Sequence, residues 1–389
     1  MVQSSVRKEV SHMKKIRLQE ALEGIEDTRR NRSVMYPLIE ILVIMLLAVI
    51  CGATSYAKVE MFGKSKETWL KKFLKLEYGI PDACTIRDVI RQIDTQQLHK
   101  AFAEWMKSVA HHVFGVVPID GKEARRTKDK TSRPLHVVSA FSHVAGLVLG
   151  QLACEEKSNE ITAIPKLLEL LEIKGCIITI DAMGTQKDIA KKIIEKGADY
   201  CLSLKENQPE LYNDVKLYTE SELFTADRKA LKEKAQYFKT LEKGHGRIEK
   251  REYYTCNDGS WLFCADKWAN LSGFGVCVST VEKDGKTSVS HNYAIYSVKN
   301  MTAEQFAACK RAHWSIENKL HWVLDMTFRE DDSRARADNS AENLNVFRHM
   351  AFNILKSETS FKGSISDKQF KCLLDERYLE KIIANWICS

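Results

Sequence analysis

Apolar residues recur at helical spacing through the first quarter of the chain, then gather into short strand-length runs. Leu18–Ile25, Tyr36–Cys51, Ala57–Phe73, Thr85–Ile93 and Gln96–Phe114 predict five helices. Gly79-Ile80-Pro81-Asp82 reads as a turn, and Thr85 as the N-cap of Ile86–Ile93. The period then changes. Phe114–Asp120, Leu135–Ser142 and Gly146–Cys154 are apolar runs of strand length. Glu160–Glu172 returns to helical spacing and ends at Gly175, Cys176–Asp181 predicts a fourth strand, Gln186–Lys196 a short helix and Ala198–Lys205 a fifth strand. Further on, Thr302-Ala303-Glu304-Gln305 is a capping box. It opens a long helix whose apolar stripe runs Phe306, Cys309, Ile316, Leu320, Val323.

This order predicts an α/β fold. A helical N-terminal domain (1–110) precedes a domain over 111–389. Three strands form a meander, and a crossover helix lays the fourth parallel to the first. That is a ribonuclease-H-like arrangement: a mixed five-stranded sheet with helices on both faces. Residues 206–292 exceed what such a core needs and read as a β-rich insertion.

Composition narrows the class. The formal charge is +7, from 59 basic and 52 acidic residues, which is mildly basic, so local clusters matter more than the total. The apolar run Pro37–Ala53 contains Glu40, and its uninterrupted part is Ile41–Cys51. A membrane span needs about 20 apolar residues, so a buried helix and a cytoplasmic protein are expected, with no membrane partner. The 11 cysteines contain no C-x-x-C and are expected as reduced thiols.

Three acids then stand out. Asp120 and Asp181 end the first and fourth strands, which the topology places side by side. Glu317 lies about 100° from Ile316 on the long helix, at the edge of its buried stripe. Such a set suits a hard divalent cation, which takes carboxylate, water and phosphate oxygens. Two such cations can hold the attacking and leaving oxygens of a phosphodiester. His313, Glu317, His321 and Asp325 recur every four residues. Ligands rising about 6 Å per step cannot all hold one ion, so the imidazoles read as flanking or phosphate-contacting groups. Glu330-Asp331-Asp332 reads as a solvated loop.

The strings VVPIDGKEARR, TIDAMGTQKDIA, LSLKENQPEL, GHGRIEKREY and HWSIENKLHWVLDMTFREDDSRAR resemble the H-repeat-associated group of DDE insertion-sequence transposases, from about Tyr36 to about Lys356. The resemblance implies a metal-dependent transposase with Asp120, Asp181 and Glu317 as catalytic and metal-holding residues. It implies two Mg²⁺ per site, with Mn²⁺ able to substitute. It also implies double-stranded DNA as partner, in terminal inverted repeats and target, bound by a homodimer. The chain departs from the wider Tyr, Arg, Glu, Lys helix signature: Lys310, His313 and Leu324 stand at the Tyr, Arg and Lys positions. A ribonuclease-H-like nuclease without strand transfer and a non-catalytic transposase-derived DNA-binding protein are the alternatives.

Candidate DNA contacts are Lys122, Arg125 and Arg126 after the first strand; Lys205, Asn207 and Gln208 after the fifth; and His245, Arg247 and Arg251 in the insertion. His313 and His321 on the long helix, and Arg334, Arg336 and Arg348 beyond it, extend the set. Arg87 and Arg91 would read bases if Thr85–Ile93 belongs to a helix-turn-helix; a plain packing domain is the other reading. Asn207 could instead cap a helix ahead of Pro209, and Trp261 and Trp268 read as core or base-stacking residues.

Overall fold

The computed structural model describes residues 17–29, 34–109, 113–128, 134–154, 159–233, 236–244 and 246–384. The N-terminal helices are α1 (Leu18–Glu23), α2 (Leu38–Ile50), α3 (Tyr56–Ser65), α4 (Ala83–Gln92) and α5 (Thr95–Val109), with a one-turn helix at Glu67–Leu70, so the single helix expected over Ala57–Phe73 is divided at Lys66. From Glu40 to its end α2 is buried on every side, so its unbroken apolar run serves a protein core. No helix among the described residues is long and apolar enough to cross a membrane. The cap of α4 is Asp82, whose carboxylate accepts from the Thr85 N–H at 2.7 Å. Thr85 lies in the first turn, because the acceptor able to satisfy a free N–H stands three residues earlier.

The sheet contains β1 (Gly115–Ala124), β2 (Leu135–Ser142), β3 (Leu147–Cys154), β4 (Cys176–Ile180), β5 (Asp199–Leu204), β6 (Tyr237–Gly244), β7 (Arg247–Cys256), β8 (Gly273–Lys283) and β9 (Lys286–Tyr296), in the order β3-β2-β1-β4-β5-β9-β8-β7-β6. β1 pairs antiparallel with β2 and parallel with β4, as the order of elements predicts. The expected five strands are a correction: the sheet has nine. The stretch read as an insertion supplies the other four, and β9 crosses its expected end at residue 292. The buried end of β9 pairs with β5, Cys201 opposite Tyr296, and covers an edge that would otherwise carry unpaired backbone groups. The same stretch also holds two helices, α8 (Pro209–Glu220) and α9 (Glu222–Glu233).

Strand alternation divides the core between the two faces. Val117, Ile119 and Ile178 pack with α6 (Glu160–Leu170) and α7 (Lys187–Glu195) through Leu167, Leu168 and Ile193. Val116 and Cys201 turn to the other face, against Phe306 and Cys309 of α10 (Ala303–Ile316). A π-helical segment, Glu317–His321, leads from α10 into α11 (Trp322–Met326). The last helices are α12 (Ser340–Ser357), α13 (Ile365–Leu374) and α14 (Glu376–Ile383). α12 is the centre of a third cluster. Val346, Phe347 and Met350 pack with α2, α4 and α5, and with Phe141 and Val148 of the sheet. The N-terminal helices and the sheet therefore share one hydrophobic core.

Candidate functional site

β1 and β4 run parallel in register up to Ile119 opposite Ile180. The next residues are Asp120 and Asp181: Asp181 follows the last residue of β4, whereas the expected strand end at Asp120 is a correction, because β1 runs on to Ala124 and Asp120 still pairs with Ser139 of β2. Buried valines and isoleucines fix the strands behind them. Gly121 has to be glycine. A Cβ there would collide with Glu160 and His136, whose buried side chains meet at 2.6 Å over this backbone. We expect Gly121→Ala to separate that pair and destabilise the fold by about 1–3 kcal/mol, as overpacking does. A denaturation midpoint equal to that of the wild type would contradict the packing.

Glu317 approaches from above the sheet. Ligand atoms of Asp120, Glu317 and His321 all lie within 4.8 Å of one another. His321 Nδ1 stands 3.4 Å from Glu317 and 3.8 Å from Asp120, and its Nε2 is buried without a hydrogen-bond partner. The residues expected to flank the glutamate thus behave differently. His321 joins the carboxylates and is 4% exposed, too enclosed for a phosphate contact in this conformation. π turns recur at functional sites because one extra residue re-aims the side chains around it. His313 lies against Thr179 of β4, its Nδ1 3.3 Å from the hydroxyl. Burial foremost, with Lys310 beside it, pushes its pKa down to about 4, so its ring is neutral at neutral pH. Asp181 is not part of the close group. Its Oδ1 accepts from the Gly184 N–H at 3.2 Å, which orients the carboxylate and leaves the second oxygen for another ligand.

The donor set fits a divalent cation. Two carboxylates and an imidazole converge, and a third carboxylate is close enough to act electrostatically on Asp120. Mg²⁺ favours the oxygens, and Mn²⁺ also accepts the imidazole nitrogen. Without a cation the charges oppose one another. Asp120 is raised to about 7, by burial first and then by Glu317 and Asp181, with His321 opposing. Glu317, more exposed, is lowered, chiefly by its hydrogen bond to His321. The raised Asp120 pKa sets a sign. The folded state holds this proton more tightly than the unfolded chain. The stabilisation is therefore complete below about pH 4 and is lost as pH rises to about 7. We expect the cation-free protein to lose thermal stability over that window and Asp120→Asn to flatten the loss. Millimolar Mn²⁺ should raise the melting temperature more at pH 8 than at pH 6, because it must displace the proton. Equal shifts at both pH values would contradict a cation bound at Asp120.

Several predicted DNA contacts are engaged within the chain. Lys122 is half-buried and held by Asp325 (2.7 Å), Glu330 (2.8 Å) and Asp331 (3.5 Å). The expected solvated loop is therefore a correction. Glu330 is 1% exposed and also binds the Asn345 amide, because a buried carboxylate must be paired. Arg125 and Arg126 keep exposed side chains near Asp331 and Asp332, each at 3.5 Å. Arg336 donates to the Arg126 carbonyl, Arg334 is exposed, and Arg348 is buried rather than on a surface path. Lys205 is exposed. The Asn207 amide donates to the Ala182 carbonyl at 2.5 Å and Gln208 to the Thr185 carbonyl at 3.0 Å. These bonds tie the loop after β5 to the loop carrying Asp181, and Gln208, not Asn207, is the N-cap of α8. Arg247 is half exposed beside Glu249, whereas Arg251 is fixed by Glu249 at 2.6 Å, by Glu242 at 3.3 Å and over the Trp314 ring. His245 lies outside the described residues. Arg87 pairs with its neighbour Asp88 at 3.1 Å, and Arg91 sits 3.6 Å from Asp88 and Asp338. Trp268 is core, and Trp261 packs beside Tyr218.

The helix itself carries two residues that the periodicity reading passed over. Trp314 and Trp322 are 57% and 59% exposed on either side of Glu317. Large apolar groups standing off the buried stripe were the signal.

An aspartate within β1 thus meets a helical glutamate, with a second aspartate just past the end of β4 alongside. Residues 110–354 match the family described as Transposase DDE domain, and residues 19–106 the family described as DDE_Tnp_1-associated. The chain belongs to the DDE transposase family. It is 41% identical to "Putative transposase YncI" of Escherichia coli O157:H7 over 373 residues, covering 94% of this chain and 93% of that one. It is 39% identical over 376 residues to "H repeat-associated putative transposase YhhI" of Escherichia coli K12, covering 95% and 98%. The cryo-EM structure of a piggyBac transposase synaptic complex with hairpin DNA covers 94% of this chain and 78% of that one, at 11% identity and a TM-score of 0.39. That likeness is too loose to carry an argument.

Proposed function

We propose that the protein is a DNA transposase that cleaves the ends of its element and joins them to target DNA. β1 to β5 with the long helix form its ribonuclease-H-like core. The observation that carries the reading is the meeting of Asp120 and Glu317, far apart in sequence, with His321 within 4.8 Å and Asp181 just past the end of the adjacent strand. Asp120, Asp181 and Glu317 would hold two Mg²⁺ or Mn²⁺, with His321 beside the first. Bound there, the cations would lower the pKa of the attacking water and offset phosphate charge. The side chains do the rest. The π turn aims Glu317 and His321 at Asp120, and the Gly184 N–H holds Asp181. Neutral His313 limits the positive charge deep in the site. Exposed Lys205, Arg125, Arg126 and Arg247 are the groups able to reach DNA phosphates, and Trp314 and Trp322 offer faces on which unpaired bases could stack. The N-terminal helices, with Arg87 and Arg91, are the candidate end-binding part, and pairing of two ends calls for a homodimer on DNA.

The test is incubation of the full chain with Mg²⁺ and labelled duplexes from both borders of its gene. Strand breaks at the element ends, followed by joined products, are expected. Breaks without joining would favour a nuclease, and binding without breaks a DNA-binding protein.

A further inference from the structure

A cavity of about 490 Å³ opens between the end of α2, the start of α3, α4 and α12. Four arginines and no acidic residue line it. Its apolar wall includes Met45 and Leu344. Arg348 of α12 is 7% exposed. Among the described residues its guanidinium makes no hydrogen bond or ion pair, and Glu330 acts on it only electrostatically. The buried Tyr56 hydroxyl lies near that of Ser340 without a well-formed hydrogen bond. Arg87 and Arg334 stand exposed at the rim.

Arg348 presents to the cavity it lines a guanidinium with five donors in a rigid fork. It calls for a ligand that brings paired acceptors into the cavity. The apolar wall calls for a flat apolar face, and the rim for a negative charge. The volume falls in the ordinary range of small-molecule sites. We propose that this cavity binds a nucleotide. The base lies on Met45 and Leu344, Arg348 donates to acceptors on its edge, and the phosphate rests between Arg87 and Arg334. Guanine, with its adjacent O6 and N7, matches the fork best. The nucleotide is either free or turned out from a DNA strand, and only the second source rests on the transposase reading.

The experiment is calorimetric titration of the full chain without metal, using dGMP, deoxyguanosine, inorganic phosphate and a six-nucleotide single strand with or without one central abasic site. We expect dGMP to bind at least tenfold more tightly than phosphate. Leu344→Trp, which fills the cavity, should abolish binding, and Arg348→Gln should weaken it at least tenfold. Arg87→Ala, at the surface and harmless to folding, should weaken dGMP severalfold but not deoxyguanosine. A free-nucleotide site gives dGMP binding with no abasic effect on the strand. A strand-held nucleotide gives binding of the intact strand that one abasic site weakens tenfold. Phosphate binding as tightly as dGMP, ligand affinities unchanged in Leu344→Trp and Arg87→Ala, or no binding of any probe would overturn the proposal. DNA cleavage by the unaltered full chain, measured beside its dGMP binding, separates the two readings. A chain that binds dGMP yet cuts no DNA keeps the cavity and loses the transposase reading. A chain that cuts DNA but binds none of the probes does the reverse.

Discussion

Glu317→Gln should leave DNA binding within about twofold of wild type and lower strand cleavage on the order of 10³-fold or more. A cation that polarises a phosphate contributes several kcal/mol to the transition state, and each 1.36 kcal/mol is worth tenfold in rate. The substitution keeps the shape of the side chain and removes its charge. Glu317 is exposed, so folding should not suffer. Asp120→Asn and Asp181→Asn should behave alike in cleavage, although Asp181 stands apart from the close group. Affinity should persist because phosphate contacts elsewhere supply most of it. Measured cleavage within tenfold of wild type for Glu317→Gln would remove this residue from the mechanism. Glu330 is then a poor substitute, since Lys122 and Asn345 already occupy it.

The second large effect lies in that ion pair. Lys122→Met should destabilise the fold by about 3–5 kcal/mol, because it leaves buried Glu330 uncompensated. The pair joins β1, two residues past Asp120, to the loop after α11. Glu330→Gln in the Lys122→Met background removes the stranded charge and should recover more than half of the loss. Urea unfolding of the two single variants and the double variant measures this. A loss below about 1 kcal/mol for Lys122→Met, or strictly additive effects, would mean that Lys122 is a surface cation free to contact DNA.

The parts of this fold legible in the sequence are those with a clean period. β1 to β5 alternate or run apolar between turn residues, and the capping box at Thr302 opens the predicted helix. Three features were illegible for physical reasons. The sheet continues into the insertion because β5 needs a partner, and partner choice leaves no local signature in β9. α12 hides its centrality because Asn343, Asn345, Arg348, His349 and Asn353 are buried polar residues that break any apolar stripe. Glu330 looked solvated because the lysine that pairs with it is 208 residues earlier, a contact no local window contains. At the site, Asp120, Asp181 and Glu317 were selected by position and His321 was legible beside Glu317, whereas its approach to Asp120 joins β1 to the helix across 201 residues, which spacing within the helix does not reveal.

The π turn makes spacing within the helix count as much as identity. Removing Asn318 would let the segment relax into ordinary α-helix, with every backbone bond still satisfied. Everything beyond it would turn by about 100° and retract by about 1.5 Å. His321 would swing away from Asp120, and Asp325 from Lys122, while Glu317 stayed in place. A chain with all its acidic residues intact would then have lost both the imidazole of its site and an anchor of the loop behind it. Among relatives of this chain, a one-residue gap between Glu317 and His321 would mark an inactivated copy that a check for the three carboxylates alone would pass as whole.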